Sequence, residues 1–270
     1  MKKSALTGLA AGVLLAAGAS APAMAVEDGM SDLSVLHGIP DLTVDVYVDG
    51  ALTLDDFAPG DLAGPLSLAP GDYSVAITAA DAADDSAPVL GPISITLEAD
   101  MSYTAVAHLD ASDAPMVSLF TNDISATASG EGRLTVRHVA GAPAVDILAD
   151  GSAVFEGLEN PDEVMADLPT GTYSAAVNLA GTDTTAIGPA DVPVTEGVNT
   201  IVYAWGSAAG ENLALAVQSV DTTMGSPSGV AAGSAPISND NSLPIGLIVV
   251  AGLALVGAGV AGRVAVTSRR

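Results

Sequence analysis

Apolar and polar positions alternate strictly along residues 44–49, with Val44, Val46 and Val48 set against Asp45, Tyr47 and Asp49. A period of two predicts a strand with one buried face. Asp49-Gly50 then turns the chain into a second short run at 51–54. Further runs follow at 65–68, 73–78, 93–97, 103–109 and 116–120, separated by Pro59-Gly60, Pro70-Gly71, the polar stretch 81–88, Gly91-Pro92 and 111–115. The same series recurs at 134–139, 145–149, 153–155, 164–168, 173–179, 192–194, 200–205 and 213–217. No amphipathic helical stretch interrupts either series. Seven or eight short strands per series predict an all-β protein of two tandem immunoglobulin-like antiparallel β-sandwich domains, over 33–120 and 134–220. The polar residues 121–133 read as the linker between them.

The two series are copies. Residues 34–50 and 135–151, laid over each other at a shift of 101, agree at six of seventeen positions. These are Val35/Val136, His37/His138, Val44/Val145, Asp45/Asp146, Asp49/Asp150 and Gly50/Gly151. Downstream, Pro70-Gly71-Asp72-Tyr73-Ser74 answers Thr170-Gly171-Thr172-Tyr173-Ser174, and Gly91-Pro92 answers Gly188-Pro189. Tyr73 and Tyr173 each follow a turn and open a strand, the placement of a tyrosine corner whose hydroxyl bonds a nearby carbonyl.

The ends of the chain break the alternation. Lys2 and Lys3, an apolar stretch from Ala5 to Gly18 and the small residues Ala23 and Ala25 predict a secretory signal peptide over 1–25. Residues 221–242 are Gly, Ser, Ala, Pro and Asn without periodicity, a flexible stalk. Residues 243–262 carry no charge over twenty positions, enough for a C-terminal transmembrane helix. The tail 263–270 holds Arg263, Arg269 and Arg270, so the positive-inside rule puts it in the cytoplasm and the repeats outside the cell. Leu243-Pro244-Ile245-Gly246 has part of the layout of a sortase signal, but the Thr-Gly cleavage pair is missing, and a retained helix is expected.

Charge sharpens this picture. All 32 acidic residues fall between Glu27 and Asp240, against two bases, Arg133 and Arg137, a formal −30 between the apolar ends. Such a surface excludes nucleic acid and anionic lipid as partners and can hold cations. There is no cysteine, hence no disulfide framework and no thiolate chemistry.

Candidate chemistry is sparse. No metalloprotease, nucleophile-elbow or phosphate-loop motif occurs. His37 and His138 stand at equivalent positions in the first strand of each repeat, and His108 aligns with Trp205; the expectation is that each bonds the same neighbour in its copy. Asp45 and Asp146 read as solvent-facing charges or as acceptors for a neighbouring loop. The Asp81, Asp84, Asp85 loop invites calcium, yet it lacks EF-hand spacing and only Asp183 answers it in the second copy, so a solvated loop is expected. Tyr203 and Trp205 form an aromatic pair read as packing. Ala254, Ala258 and Gly262 place small residues at helix-contact spacing, a weak pointer to self-association. No catalytic, cofactor-binding or metal residue is assigned.

Val44-Asp45-Val46-Tyr47-Val48-Asp49-Gly50, preceded by His37 and Pro40 and followed by Leu68-Ala69-Pro70-Gly71-Asp72-Tyr73, resembles the bacterial domain-of-unknown-function family 4397. The second copy keeps His138, Pro143, Val145, Asp146, Asp150, Gly151 and Leu168-Pro169-Thr170-Gly171-Thr172-Tyr173, but has Ile147-Leu148 where the pattern has Val-Tyr. The resemblance implies secreted or surface-anchored β-domains, often in tandem, and brings no activity. The expected function is thus a non-enzymatic, membrane-anchored cell-surface protein whose β-sandwiches meet an envelope, polysaccharide or protein ligand. The alternative is an acidic, cation-holding coat without a specific partner; a hydrolase is third.

Overall fold

Strand-forming alternation becomes sixteen β-strands in the computed structural model, which describes residues 26–222. The signal segment 1–25, nearly all of the stalk 221–242, the membrane helix 243–262 and the tail 263–270 expected above lie outside the described residues. Among the described residues no helix is long and apolar enough to cross a membrane.

The first repeat holds β1 (Ser31–His37), β2 (Val44–Val48), β3 (Ala51–Phe57), β4 (Leu62–Leu68), β5 (Gly71–Ala79), β6 (Leu90–Leu97), β7 (Met101–Leu109) and β8 (Pro115–Asn122). The second holds β9 (Glu131–Gly141), β10 (Val145–Ala149), β11 (Ser152–Leu158), β12 (Glu163–Pro169), β13 (Gly171–Leu179), β14 (Thr185–Val194), β15 (Val198–Ser207) and β16 (Ala214–Asp221). Each repeat is a sandwich of two four-stranded sheets. One sheet has the order β4-β1-β7-β8 and its counterpart β12-β9-β15-β16; the other has β3-β2-β5-β6 and its counterpart β11-β10-β13-β14.

This order departs from the immunoglobulin-like arrangement expected from strand spacing. In an immunoglobulin constant domain the first, second, fifth and fourth strands share a sheet. Here the first pairs with the fourth and, in parallel, with the seventh, while the second and fifth lie across the sandwich. The cause is the corner after β1. Gly38 N–H donates to Ala107 O, carrying β1 on beside β7, and His37 Nε2 bonds Leu42 O at 2.6 Å where the chain crosses to the opposite sheet. His138 and Pro143 O make the same corner at 3.0 Å in the second repeat.

Each sandwich closes its own core. Leu33, Val35, Val44, Val46, Ile77, Ile95, Leu97 and Ala105 are buried in the first; Leu134, Val136, Val145, Ile147, Val177, Val192 and Val202 are buried in the second. With period-two alternation the intervening residues should face water. On β1, β7, β9 and β15 they do not, since nearly every residue of those strands is buried. The reason is a third cluster, Leu36, Val106 and Phe120 of the first repeat with Val139, Ile201 and Tyr203 of the second. The sheets containing β1 and β9 therefore pack against each other and are the inner sheets; those containing β2 and β10 are the outer sheets.

The joint expected over 121–133 is consequently short and engaged. β8 runs to Asn122 and β9 begins at Glu131. The Arg133 guanidinium grips Asp167 with Nε and Nη2 at 2.8 and 3.1 Å, while its Nη1 reaches Asp123 Oδ1 at 2.9 Å and Ser125 Oγ at 3.0 Å.

Candidate functional site

Polar side chains gather in two places: the seam between the inner sheets and the open faces of the outer sheets. The seam is polar as well as apolar. Arg137 is 1% exposed and its Nε donates to Glu163 at 2.7 Å. Its Nη1 donates to Asn122 Oδ1 at 3.0 Å and to the Tyr203 hydroxyl at 2.8 Å, and Cζ lies 4.5 Å above the Phe120 ring. The Tyr203 hydroxyl donates to Gln218 Oε1 at 2.6 Å, which also accepts from the Thr104 hydroxyl at 3.0 Å. Burial pushes the Tyr203 phenol up, so it remains a donor. Asn160 Nδ2 crosses to Leu109 O at 2.8 Å, and Trp205 sits on Gly60, whose φ is +86°. Most of these groups satisfy one another, while Asn160 Oδ1 and Trp205 Nε1 are buried without a partner, and the arrangement is a structural joint. It consumes both bases present among the described residues.

The three histidines are equally structural in geometry. His37 stacks on Phe57 with centroids 5.9 Å apart, and His108 bonds Leu109 O and Ser118 Oγ, each at 2.9 Å. Burial holds all three below the usual imidazole range. His37 and His138 do bond equivalent carbonyls, Leu42 O and Pro143 O. Tyr73 and Tyr173 likewise donate to Ala69 O and Pro169 O. Asp49 and Asp150 both adopt φ +49° ahead of Gly50 and Gly151, the conformation of a type I′ turn, and accept from Ser74 N and Ser174 N.

The outer faces differ more. Asp45 and Asp146 point away from the core from the middle of β2 and β10, and each clamps a β-bulge in the neighbouring edge strand. Between Val44/Phe57 and Val46/Leu54 in the ladder, Asp45 alone opposes Asp55 and Asp56; Asp146 likewise opposes Glu156 and Gly157. The bulge residue has positive φ in both, +52° at Asp56 and +68° at Gly157. Its N–H donates to Asp45 Oδ1 at 2.9 Å and to Asp146 Oδ1 at 2.8 Å.

Beyond this shared clamp the copies part. In the second repeat Gly181 N–H takes the other oxygen of Asp146 at 2.8 Å. A cleft of about 310 Å³ opens there, lined by Asp146, Leu148, Gly151, Asn178, Thr182 and Asp183. Asn178 Oδ1 is buried with no hydrogen-bond partner at its wall. In the first repeat Tyr47 stands at the position of Leu148, and its hydroxyl meets Ala82 O at 3.4 Å. There the bulge gathers carboxylates instead: one oxygen each from Asp45, Asp55 and Asp56 lies within 4.8 Å of the others. Neighbouring Asp55, together with burial and with Asp81 and Asp45, pushes the Asp56 carboxyl above its usual range.

Asp81, Asp84 and Asp85, the loop first weighed for calcium, form no such group; Asp84 caps Ser86 N at 3.0 Å. Sequence reasoning missed Asp55-Asp56 and the Asn178 cleft. The signal was present: setting Asp56 against Gly157 and Tyr47 against Leu148 marks where the copies diverge on an outward face.

Residues 31–147 match the model of the family described as domain of unknown function (DUF4397), which identifies that stretch as a DUF4397-like domain. The match covers the first repeat and reaches into β10. No curated protein matches the chain.

Proposed function

We propose that this is a non-enzymatic recognition protein displayed outside the cell, led out by the segment 1–25 and held at the membrane by the apolar residues 243–262. Two sandwiches fused through their inner sheets leave the outer faces to meet a ligand. The observation that carries this reading is the cleft on the outer face of the second repeat, with Asn178 Oδ1 buried in its wall and no partner of its own. A buried acceptor without a donor costs about 1–3 kcal/mol, and an incoming hydroxyl or amide N–H recovers it. The lining of carboxylates, amide and hydroxyl suits a donor-rich ligand such as a polysaccharide or an extended peptide. The absence of any catalytic motif and the engagement of all three histidines in fixed bonds support binding over turnover.

The test uses the full chain as bait on intact cells and isolated envelopes at several salt concentrations, beside Leu148→Tyr. A discrete partner retained above physiological salt by the parent chain and lost by Leu148→Tyr supports the reading. Capture that vanishes with salt for both favours a second reading, an acidic coat. One observation favours that alternative: Arg133 and Arg137 are both spent in the seam, so among the described residues no base offsets the acidic outer surface.

A further inference from the structure

The bulge in the first repeat assembles a set of oxygens that its twin in the second repeat lacks. Asp45 is 2% exposed, and the β-bulge brings Asp55 and Asp56 against it. The three participating oxygens span no more than 4.8 Å. Oxygens bound to one calcium ion at about 2.3–2.6 Å can lie up to about 5 Å apart, whereas magnesium at about 2.1 Å wants a tighter and more regular set. The bond from Asp56 N–H occupies only part of what the Asp45 carboxylate can accept.

A second observation is independent of the acids. Thr78 is fully buried, and its hydroxyl has no partner. It stands directly opposite Asp45 in the β2–β5 ladder and so on the same face, in one cross-strand row with Asp45 and the bulge. With that hydroxyl unpaired and its residue in register with Asp45, a neutral oxygen on this face of the sheet is left uncommitted. No base compensates the cluster, because the described ion pairs all belong to Arg133 and Arg137. Asp55 and Asp56 are exposed, while Asp45 is buried, and a buried carboxylate charge is costly unless it is paired or coordinates a metal.

We propose that Asp45, Asp55 and Asp56, completed by the Thr78 hydroxyl and by water, bind a calcium ion on the outer face of the first repeat. The second repeat cannot do so: Gly157 replaces Asp56, Gly181 N–H replaces the ion at Asp146, and Asn178 stands where Thr78 does. The site is distinct from the cleft of the second repeat and stands or falls without it.

The experiment is thermal unfolding of the full chain in mild detergent, with calcium, magnesium or chelator at matched ionic strength. Calcium at about 2 mM, against the sub-millimolar to millimolar affinity of extracellular sites, raises Tm by about 2–6 °C, and magnesium by less. Asp56→Gly, which installs the second repeat's own residue at a left-handed position, folds and loses the calcium shift; Asp55→Asn weakens it. Glu156→Gln in the second repeat leaves it intact. An equal Tm in calcium and chelator overturns the proposal, as does a shift that survives both Asp56→Gly and Asp55→Asn.

Discussion

The two repeats share one eight-stranded topology, yet the residues by which they differ are not scattered. At the seam, Leu36 and Val106 of the first repeat are neighbours across the parallel β1–β7 pair; the equivalent neighbours in the second are Arg137 and Tyr203. Phe120 on β8 is answered by Gln218 on β16. At these positions one copy is apolar where the other carries a cation, a phenol and an amide, and Asn122 and Thr104 of the first repeat bond to that set. Residues inside each sandwich and at each corner stay alike, because both copies solve the same folding problem. The outward positions that differ are those that meet the other repeat at the seam and those on the outer faces.

The hardest test of that asymmetry is Arg137→Ala. Removing one partner from a buried, hydrogen-bonded ion pair costs about 3–5 kcal/mol, because the groups left behind stay desolvated. Glu163 and Tyr203 lose the Arg137 donor, and Asn122 Oδ1 keeps only the Thr104 hydroxyl. Denaturant unfolding should show that loss and a broadened or split transition as the repeats uncouple. A double-mutant cycle of Arg137→Ala with Asn122→Ala, which span the seam, is expected to give a coupling of about 1–2 kcal/mol; a coupling near zero would mean that the repeats are joined only by the chain.

A second test probes what the copies hold in common. Because burial depresses the imidazoles of His37, His108 and His138, the unfolded chain takes up protons first as pH falls. Their contribution is therefore complete above the unfolded value of about 6.5 and is lost as pH drops from there toward the lowered folded values, by up to about 1.4 kcal/mol per pH unit for each histidine. His37→Gln and His138→Gln keep an N–H donor for Leu42 O and Pro143 O. Each should flatten the decline of Tm below pH 6.5 by a similar amount, since the two corners match. Unequal effects would break the equivalence.

Gly60→Ala touches the seam more gently. A Cβ there would stand 2.8 Å from Trp205 Cζ2, at a φ that side chains rarely adopt. The expected cost is about 1–3 kcal/mol, read as a lower Tm with Trp205 fluorescence shifted toward that of an exposed indole.

Much of the fold was legible because it rests on local signals. Alternation around Val44–Val48, the Asp-Gly turns and the paired tyrosines each specify their element through nearby residues. The strand order was not legible, since it depends on a corner of six residues after β1 whose direction is set by Gly38, His37 and the parallel neighbour β7. The seam was invisible for a related reason: Thr104 reads as a solvent-side strand residue, Asn122 as linker and Tyr203 as packing, Gln218 lies just past the last strand run, and only the partner repeat brings them together in an interior. The carboxylate cluster needs a bulge, an insertion of one residue in the ladder that brings Asp55 and Asp56 opposite Asp45, and bulges leave little trace in a single sequence.

The smallest expected change in stability carries the most functional information. Leu148 borders the open cleft, and its counterpart Tyr47 closes the same region in the first repeat. Leu148→Tyr should alter stability by no more than about 0.5 kcal/mol, since it adds a side chain to open space at the surface. It should nevertheless remove ligand capture by the second repeat, because the phenol covers Asn178. The reciprocal Tyr47→Leu uncovers the first repeat, where Thr78 and the carboxylates replace Asn178 and the glycines, so it should not confer the second repeat's specificity. If the reciprocal change did transfer capture, ligand choice would reside in the shared Asp45/Asp146 clamp, and the divergence of the outer faces would have no part in recognition.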